Sequence, residues 1–403
     1  MKKNAFTLIE LLAVIAILTI IMVISVPQLI TSIKNKKTDA LEKTKDLLTS
    51  AARNYVIDYE LKVPTSISIE TLCKNDYLEC PIKNPIDNSN LNGYVNVDDN
   101  KVYVYSDTRD YITIRDYIIE LYNNEETRIR DGLKKDNTPD QNIRYYGSDP
   151  NNYVSFNNEL WRIIGVFGNN VKLIRKDSLR SLSWDSSESS VNGGYGVNEW
   201  SQADLKNYLN TMYYGGTTVT CYGGIKNSTT TCPTGTIDET SKALIDNHIW
   251  NTGAIEYNTR TDTLAFYQAE RGTKGKICSS SNYCNDTVER TTTWTGYVAL
   301  PYVTDWAYAS SESVCETNIQ TKDSSNAYIC KNNNWMQRSS YTWYLSPLAY
   351  GSDASYAWYV SGVGYAGYNF AASSNAVVPS IYLKSSVLMK GGSGTSSDPY
   401  KLA

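Results

Sequence analysis

Residues 1–18 read MKKNAFTLIELLAVIAIL, and the organisation of the whole chain follows from this stretch. From Phe6 to Ile33 the only charged residue is Glu10. A bilayer is crossed by about 20 apolar residues in a helix. Within lipid a single span must be helical, because a helix satisfies its own backbone hydrogen bonds. We therefore expect a long N-terminal helix that enters a membrane.

The carboxylate of Glu10 is energetically unfavourable in such a helix. A carboxylate at the bilayer centre costs about 2.5–3.5 kcal/mol, and no Lys or Arg lies near Glu10 within the apolar run. If the chain were cut between Ala5 and Phe6, the new α-amine would lie about one helical turn from Glu10. The same amine on a neighbouring copy could neutralise this carboxylate inside a bundle of helices.

The segment from Lys2 to Glu10, KKNA followed by FTLIE, resembles the class III signal of type IV pilins and pseudopilins. The resemblance implies that a prepilin peptidase cuts before Phe6 and N-methylates it, and that Glu10 then aids assembly. Pro27 lies where many pilins have a helix-breaking proline, whereas Ala5 replaces the commoner glycine. The likeness covers the leader and the apolar run.

Two other interpretations compete for this segment. An ordinary secretory signal has an apolar core of about 7–15 residues, which is shorter than the run here. A plain membrane anchor fits the length but leaves Glu10 without a role.

Composition limits the function classes. The net charge is −4 and no basic run follows Lys34, Lys36 and Lys37, so no nucleic-acid partner is expected. The one histidine, His248, limits acid–base chemistry near neutral pH. The 33 tyrosines suit exposed β surfaces and contact faces.

The eight cysteines lie beyond the apolar run and fall into short-range pairs. These are Cys73 with Cys80, Cys221 with Cys232, Cys278 with Cys284, and Cys315 with Cys330. An even number of cysteines outside the membrane predicts disulfides between these neighbours. Zinc is the competing interpretation, but no pair has the Cys-x-x-Cys spacing.

The pattern along the chain predicts an α+β protein. Its predicted segments are a leader at 1–5, a transmembrane and assembly helix at 6–62, a small β-sheet head at 63–125, a linker at 126–143, and a C-terminal display domain at 144–403. Leu41, Leu48, Ala52, Tyr55 and Tyr59 share one helical face that would pack on the head. Residues 94–97 and 101–105 alternate as a hairpin expected in that head.

The display domain is expected to be rich in loops. It starts with a hairpin at 160–175, followed by a helix that Ser201 and Asp204 would cap, and by a second helix at 240–252. These features, with the segment from Asp305 to Tyr308 and the Leu-Ser-Pro segment at 345–347, resemble a domain of unassigned function in surface proteins of Gram-positive gut bacteria. The order of elements also resembles the C-type-lectin-like and formylglycine-generating-enzyme-like fold.

Two groups of residues were considered as chemical sites. His248 has no visible nucleophile or metal partner, so a packing role is favoured. Asp185, Glu188, Asn192 and Asn198 are candidate calcium ligands, but the EF-hand spacing is absent and a solvated loop is favoured. No enzymatic activity, metal or cofactor is expected.

Aromatic residues are dense in the last third of the chain, among Gly, Ser and Asn. This mixture is typical of adaptable recognition loops, but rings that fill a loop-rich β core are the favoured interpretation. The candidate binding face consists of Trp306, Tyr308, Trp343, Tyr344, Trp358 and Tyr359.

The hypothesis is a type IV pilin-like filament subunit, in a minor or tip position, that displays an adhesive domain. The alternatives are a pseudopilin of a type II secretion or DNA-uptake system, and a membrane-anchored surface enzyme with a lectin-like domain. The expected location is the cytoplasmic membrane, through the N-terminal helix, and then the outside of the cell. Expected partners are other pilin subunits, prepilin peptidase, the membrane, and a glycan or protein of a host or the environment.

The native N-terminus provides the first test. We expect the protein isolated from its own cells to begin at Phe6 and to carry one added methyl group, which N-terminal peptide mass spectrometry measures directly. A native protein that still contains residues 1–5 would contradict the pilin interpretation.

Overall fold

The computed structural model describes residues 8–188, 190–256, 262–272, 286–320 and 324–403. The chain divides into two compact units, residues 1–112 and 113–403. The first has a long helix and a small sheet, and the second is larger and rich in strands, so the predicted α+β class is confirmed.

The first unit is built on its N-terminal helix. Its elements are α1 (Leu8–Asp58), β1 (Thr65–Ser68), α2 (Ile69–Lys74), β2 (Tyr94–Val97) and β3 (Tyr103–Ser106). The three strands form an antiparallel sheet in the order β1-β2-β3, which contains the predicted hairpin. Leu48 and Ala52 of α1 are fully buried with Leu72, Val95 and Val97 in the core of this unit.

Helix α1 ends earlier than the expected residue 62. The backbone at Glu60 has φ 47°, a left-handed conformation that a helix cannot continue through. The amide of Leu61 then donates to the carbonyl oxygen of Val56 at 3.0 Å and closes the last turn. The chain thus leaves the helix before Pro64.

Among the described residues, no helix combines the length and the apolar character that crossing a bilayer requires. The predicted span includes Glu10, Pro27 and the rest of residues 20–31, whose side chains lie outside the described part of the chain.

Strand β4 (Ile112–Thr113) lies across the division between the units. The helices of the second unit are α3 (Ile114–Asn123), α4 (Glu125–Arg130), α5 (Asp204–Asn207), α6 (Glu239–Leu244), α7 (Thr263–Glu270), α8 (Val303–Tyr308), α9 (Val314–Thr317) and α10 (Ser324–Asn332). Short 3₁₀ turns occupy Asn192–Gly194 and Trp200–Gln202, and a π-helical turn occupies Tyr208–Tyr214.

Most strands of the chain lie in the second unit. They are β5 (Leu133–Lys135), β6 (Ile143–Tyr145), β7 (Tyr153–Phe156), β8 (Glu159–Phe167), β9 (Asn170–Arg175), β10 (Ser181–Ser183), β11 (Cys221–Tyr222), β12 (Thr229–Thr230), β13 (His248–Asn251), β14 (Ile255–Glu256), β15 (Thr293–Gly296), β16 (Val298–Ala299), β17 (Thr342–Ala349), β18 (Tyr356–Val360), β19 (Ala366–Phe370), β20 (Ser374–Ala376), β21 (Ser380–Leu383), β22 (Leu388–Gly391) and β23 (Tyr400–Leu402).

Two sheets organise this unit. One contains the neighbours β16-β21-β9-β8-β7-β23-β22, and β6 pairs with β8. The other contains β10-β20-β17-β18-β19. The predicted hairpin is β8 with β9, which are antiparallel. Gly165 in β8 permits the approach of β6, because a Cβ there would lie 2.1 Å from the carbonyl oxygen of Ile143.

The observed division of the chain differs from the expected one. Residues 113–143, which the sequence pattern assigned to the head and a linker, belong to the second unit. The apolar side chains of α3, among them Ile114 and Ile118, pack in its core. Burial of this helix therefore joins the segment to the larger unit.

Two helix predictions in the second unit were wrong in detail. The helix expected at 240–252 stops at Leu244, since Ile245 is extended, and His248–Asn251 forms β13 against β15. At Trp200 the cap is Glu199, whose side chain accepts from the amide of Ser201 at 3.3 Å. The Asp204 carboxylate instead accepts from the amide of Ser186 at 2.9 Å.

Three of the four expected disulfides are present, joining Cys73 to Cys80, Cys221 to Cys232, and Cys315 to Cys330. Cys278 and Cys284 lie outside the described residues.

Two adjacent leucines of α1 test how the helix supports the first unit. Leu48 is fully buried, whereas Leu47 is 53% exposed. Leu48→Ala should lower the free energy of unfolding of this unit by about 2–5 kcal/mol, because it leaves a cavity. Hydrogen exchange of the β1–β3 amides, measured by mass spectrometry, should speed up accordingly. Leu47→Ala is the matched control, and equal effects of the two substitutions would contradict the packing described here.

Candidate functional site

The N-terminal segment is the first candidate site. Residues 1–7, including the predicted cleavage position between Ala5 and Phe6, lie outside the described residues, and the described part of α1 starts at Leu8. The large side chains described in the first turns of α1 are exposed and apolar. They are Leu8, Ile9, Leu11, Leu12, Val14, Ile15 and Ile17.

These apolar side chains surround the helix rather than forming one stripe. At 100° per residue, Leu8, Ile9, Val14 and Ile17 point in widely different directions. A helix that is apolar all round is stable only where its whole circumference is removed from water, either in lipid or among other helices. In this segment the described large side chains are therefore both apolar and exposed on every side of the helix.

The expected aromatic binding face is not on the surface. Trp306, Tyr308, Trp343, Tyr344 and Trp358 are all at most 1% exposed. Their polar atoms are used internally: Trp306 Nε1 donates to Gln337 Oε1 at 3.0 Å, and Trp343 Nε1 donates to the carbonyl of Leu182 at 2.9 Å. Tyr359 is half-buried against Tyr341, with ring centroids 4.9 Å apart. Five of the six candidate rings therefore lie in the core.

A different set of rings remains at the surface. We call it the aromatic ladder, and it consists of Tyr195, Tyr350, Tyr356, Tyr368 and Phe370. Phe370 lies between two of the others, with its ring centroid 4.1 Å from that of Tyr195 and 4.5 Å from that of Tyr356. Tyr350 and Tyr368 contact Tyr356 at 5.8 and 5.4 Å. All five rings are partly accessible, and Tyr195 is the most open at 38%.

Strand pairing places part of the ladder, because Tyr356 of β18 faces Phe370 of β19 in the register. Tyr195 comes from the distant Gly-rich loop, so the sequence pattern did not find it. The alternation in 366–370 is the signal that could have indicated Phe370.

His248 lies on β13 and not on a helix. Its Nδ1 is 3.0 Å from Asp246 Oδ2, and its ring stacks on Tyr382 with centroids 3.7 Å apart. Burial lowers the pKa of His248 below its ordinary value, although Asp246 opposes the shift. These contacts fix the ring against the sheet.

Two of the four candidate calcium ligands, Asp185 and Asn198, have their side chains engaged in hydrogen bonds to the backbone. The Asp185 carboxylate accepts from the amides of Val197 at 2.7 Å and Asp204 at 3.1 Å, while the Asn198 amide donates to the carbonyls of Leu348 and Tyr356. Burial, aided by the nearby Asp204 charge, raises the pKa of Asp185 to about 7. Where the structure describes the chain, no cluster of three or more His, Cys, Asp or Glu residues could hold a metal ion.

A buried group of charges joins three elements of the second unit. We call Asp136, Arg144, Lys172 and Asp305 the buried charge cluster. Arg144 Nε is 2.6 Å from Asp136 Oδ2 and its Nη1 is 2.9 Å from Asp305 Oδ1, while Lys172 Nζ is 2.6 Å from Asp305 Oδ2. All four side chains are at most 2% exposed.

The electrostatics of this cluster depend on burial and pairing. Burial opposes ionisation of Asp305, but the charges of Lys172 and Arg144 outweigh it and lower its pKa. Burial lowers the pKa of Lys172 to about 8 against the attraction of Asp305. Nearby Glu270, whose Oε2 accepts from the Thr304 hydroxyl at 2.8 Å, has a pKa raised by burial to about 7.

This cluster is not predicted from the sequence. Lys172 belongs to the predicted hairpin at 160–175, and Asp305 belongs to the segment that resembles a surface-protein domain. The lysine between Val171 and Leu173 fits an alternating strand with one face in water, so the local pattern predicts an exposed cation and gives no signal of its burial.

Comparison with known proteins bears on the N-terminal segment. Residues 1–26 match a family model described as the prokaryotic N-terminal methylation motif. No curated protein and no solved structure is significantly similar to the chain. The match supports a type IV pilin-like prepilin segment, with other pilin subunits and prepilin peptidase as the partners it implies, in a pilin-like protein or a pseudopilin. The resemblances suggested for residues 144–403 have no support from these comparisons.

Proposed function

We propose that this protein is a minor or tip subunit of a type IV pilus whose second unit is displayed outside the cell for adhesion. The single observation that carries the proposal is the methylation motif at residues 1–26. In this proposal prepilin peptidase cuts between Ala5 and Phe6 and methylates Phe6. The helix is held in the cytoplasmic membrane before it is drawn into the filament.

The surface of α1 supports the assembly step. Its apolar circumference from Leu8 to Ile17 suits first the lipid and then a bundle of equivalent helices from other subunits. Such a bundle places the free amine of one Phe6 near the Glu10 carboxylate of a neighbour. The attraction between this amine and this carboxylate is strong in a medium of low dielectric constant. It would favour the axial offset between neighbouring subunits that brings the two groups together.

The size of the second unit supports a minor or tip position. Residues 113–403 form a compact body that is larger than the small sheet on α1. If every subunit carried this body, the bodies would crowd one another around the filament. At the filament tip, or in a few widely spaced subunits along the filament, these bodies would not overlap.

Replacing Glu10 tests the assembly step. Glu10→Ala should leave the protein in the membrane but reduce its amount in sheared filaments at least tenfold, because the neighbouring amine loses its partner. Immunoblots of membrane and filament fractions measure both pools. Glu42→Ala is the matched control, since Glu42 lies on the same helix, is 63% exposed and pairs with Lys45 at 3.0 Å.

Wild-type incorporation of the Glu10 variant would contradict the assembly role. Wild-type protein that stays in short fibres within the cell envelope would instead favour a pseudopilin.

For adhesion we propose the aromatic ladder as the contact surface and a glycan as its ligand. Aromatic faces pack on the apolar faces of sugar rings, while the tyrosine hydroxyls can hydrogen-bond to sugar hydroxyls. The ladder supplies five partly accessible rings in one place. The buried tryptophans of the core cannot contact a glycan, because they are not accessible from the surface.

Tyr195→Ala tests the adhesive surface, because Tyr195 is the outermost ring of the ladder. We expect binding to a glycan array to weaken roughly two- to tenfold, the equivalent of one lost ring contact of about 0.5–1.5 kcal/mol. Tyr328→Ala is the matched control: this tyrosine is 65% exposed on α10 and belongs to no ladder contact described above. Equal weakening by both substitutions, or no glycan binding at all by the wild type, would contradict the proposal.

A further inference from the structure

The contact between Lys172 and Asp305 joins two distant parts of the second unit. Lys172 lies on β9 and Asp305 on α8, 133 residues apart in sequence. Lys172 Nζ is 2.6 Å from Asp305 Oδ2, and both side chains are fully buried. The amine lies 3.9 Å from the ring centroid of Tyr302 and within 5.6 Å of those of Phe167, Trp250 and Tyr382.

This aromatic enclosure changes the chemistry that is available to the pair. Burial opposes ionisation of Asp305, but Lys172 and Arg144 lower its pKa, so the pair is ionised in its principal state. Burial also disfavours the charged amine and lowers the pKa of Lys172 to about 8, because removing charges from water costs several kcal/mol for each ion. The neutral pair is thereby accessible as a minor state. Transfer of one proton from the ammonium to the carboxylate yields a neutral amine beside a carboxylic acid. These are the two reactants of amide formation, held in contact with no water between them.

We propose that Lys172 and Asp305 become joined by an intramolecular amide bond between Nζ and Cγ. The lone pair of the neutral amine attacks Cγ, and the new Nζ–Cγ bond forms as the carbonyl electrons move onto Oδ1. A proton from the amine passes to Oδ2, the Cγ–Oδ2 bond breaks, and one water molecule leaves. Amine and acid thus give amide and water, with no oxidant, reductant or cofactor.

Neighbouring groups are placed to favour each part of this step. Arg144 Nη1 lies 2.9 Å from Oδ1, where negative charge develops during the attack. The amide of Tyr302 donates to Oδ2 at 2.9 Å and fixes the carboxyl plane. Arg144 keeps its second partner, Asp136, so the cluster remains paired after Asp305 loses its charge.

Another lysine pair in the same unit supplies an internal comparison. Lys134 Nζ and Glu316 Oε1 are 2.5 Å apart, as close as the buried pair, but each side chain is 25% exposed. Solvent keeps such a pair ionised, and a protonated amine is not a nucleophile. Close contact is therefore common to both pairs, and the dry enclosure belongs to Lys172 with Asp305.

The bond would change how the second unit responds to force. It would tie the β8–β9 hairpin to α8 and prevent their separation even after the surrounding hydrogen bonds open. The inference stands on the geometry of this unit and does not depend on the proposed pilus function.

Peptide mapping of the intact wild-type protein tests the inference. The full chain is reduced, denatured and digested with trypsin, and its peptides are weighed. We expect residues 163–175 to appear linked to residues 291–322, with a mass equal to the sum of the two peptides less one water molecule. Trypsin should fail to cut after Lys172 but should cut normally after Lys134. Separate, unlinked peptides with cleavage at Lys172 would overturn the proposal.

A charge-preserving variant gives the matched control. Lys172→Arg keeps a cation beside Asp305 but removes the primary amine, so the linked peptide should disappear. Lys134→Arg should leave the linked peptide unchanged. A linked peptide that persists in Lys172→Arg would show that another residue forms the bond and would overturn this assignment. The wild-type map decides the question even if the Lys172 variant fails to fold.

Discussion

A helix that is apolar on every side cannot remain in water, and the organisation of this protein follows from that constraint. The first turns of α1 expose Leu8, Ile9 and Ile17 around the helix, whereas later turns bury Leu48 and Ala52 in a small core. One end of the helix thus exposes apolar side chains on all sides, and the other end packs against a folded unit. The methylation motif covers residues 1–26, and it therefore lies at the exposed apolar end of the helix.

In the second unit the main constraint is that buried charged side chains must be paired. Asp305 is shared by Arg144 and Lys172, and the three residues come from β6, β9 and α8. An unpaired charge at such depth would cost several kcal/mol. Moving any one of the three elements away would leave a buried charge without its partner, so the ion pairs hold the elements together. Tyr302 and other rings complete the enclosure around the lysine.

Sequence patterns predicted the local elements better than their assembly. The β2–β3 and β8–β9 hairpins follow from alternating apolar residues and short turns, and these were expected from the sequence. The helix expected at 240–252 was wrong because its pattern suits a helix locally, while pairing of Trp250 with Trp294 on β15 favours a strand. Aromatic density was compatible with a packed core, which was favoured, and with a binding face. Burial decides between them for each ring, and Trp306 and Trp343 are core.

The sequence by itself determined the pilin-like N-terminal segment, the α+β class and three described disulfides, because each depends on residues close together in the chain. Only the tertiary structure decided that residues 113–143 join the larger unit, that Tyr195 reaches Phe370, and that Lys172 meets Asp305. Contacts across such distances depend on how whole sheets pack. Local sequence periodicity does not predict which distant side chains will contact each other in the core.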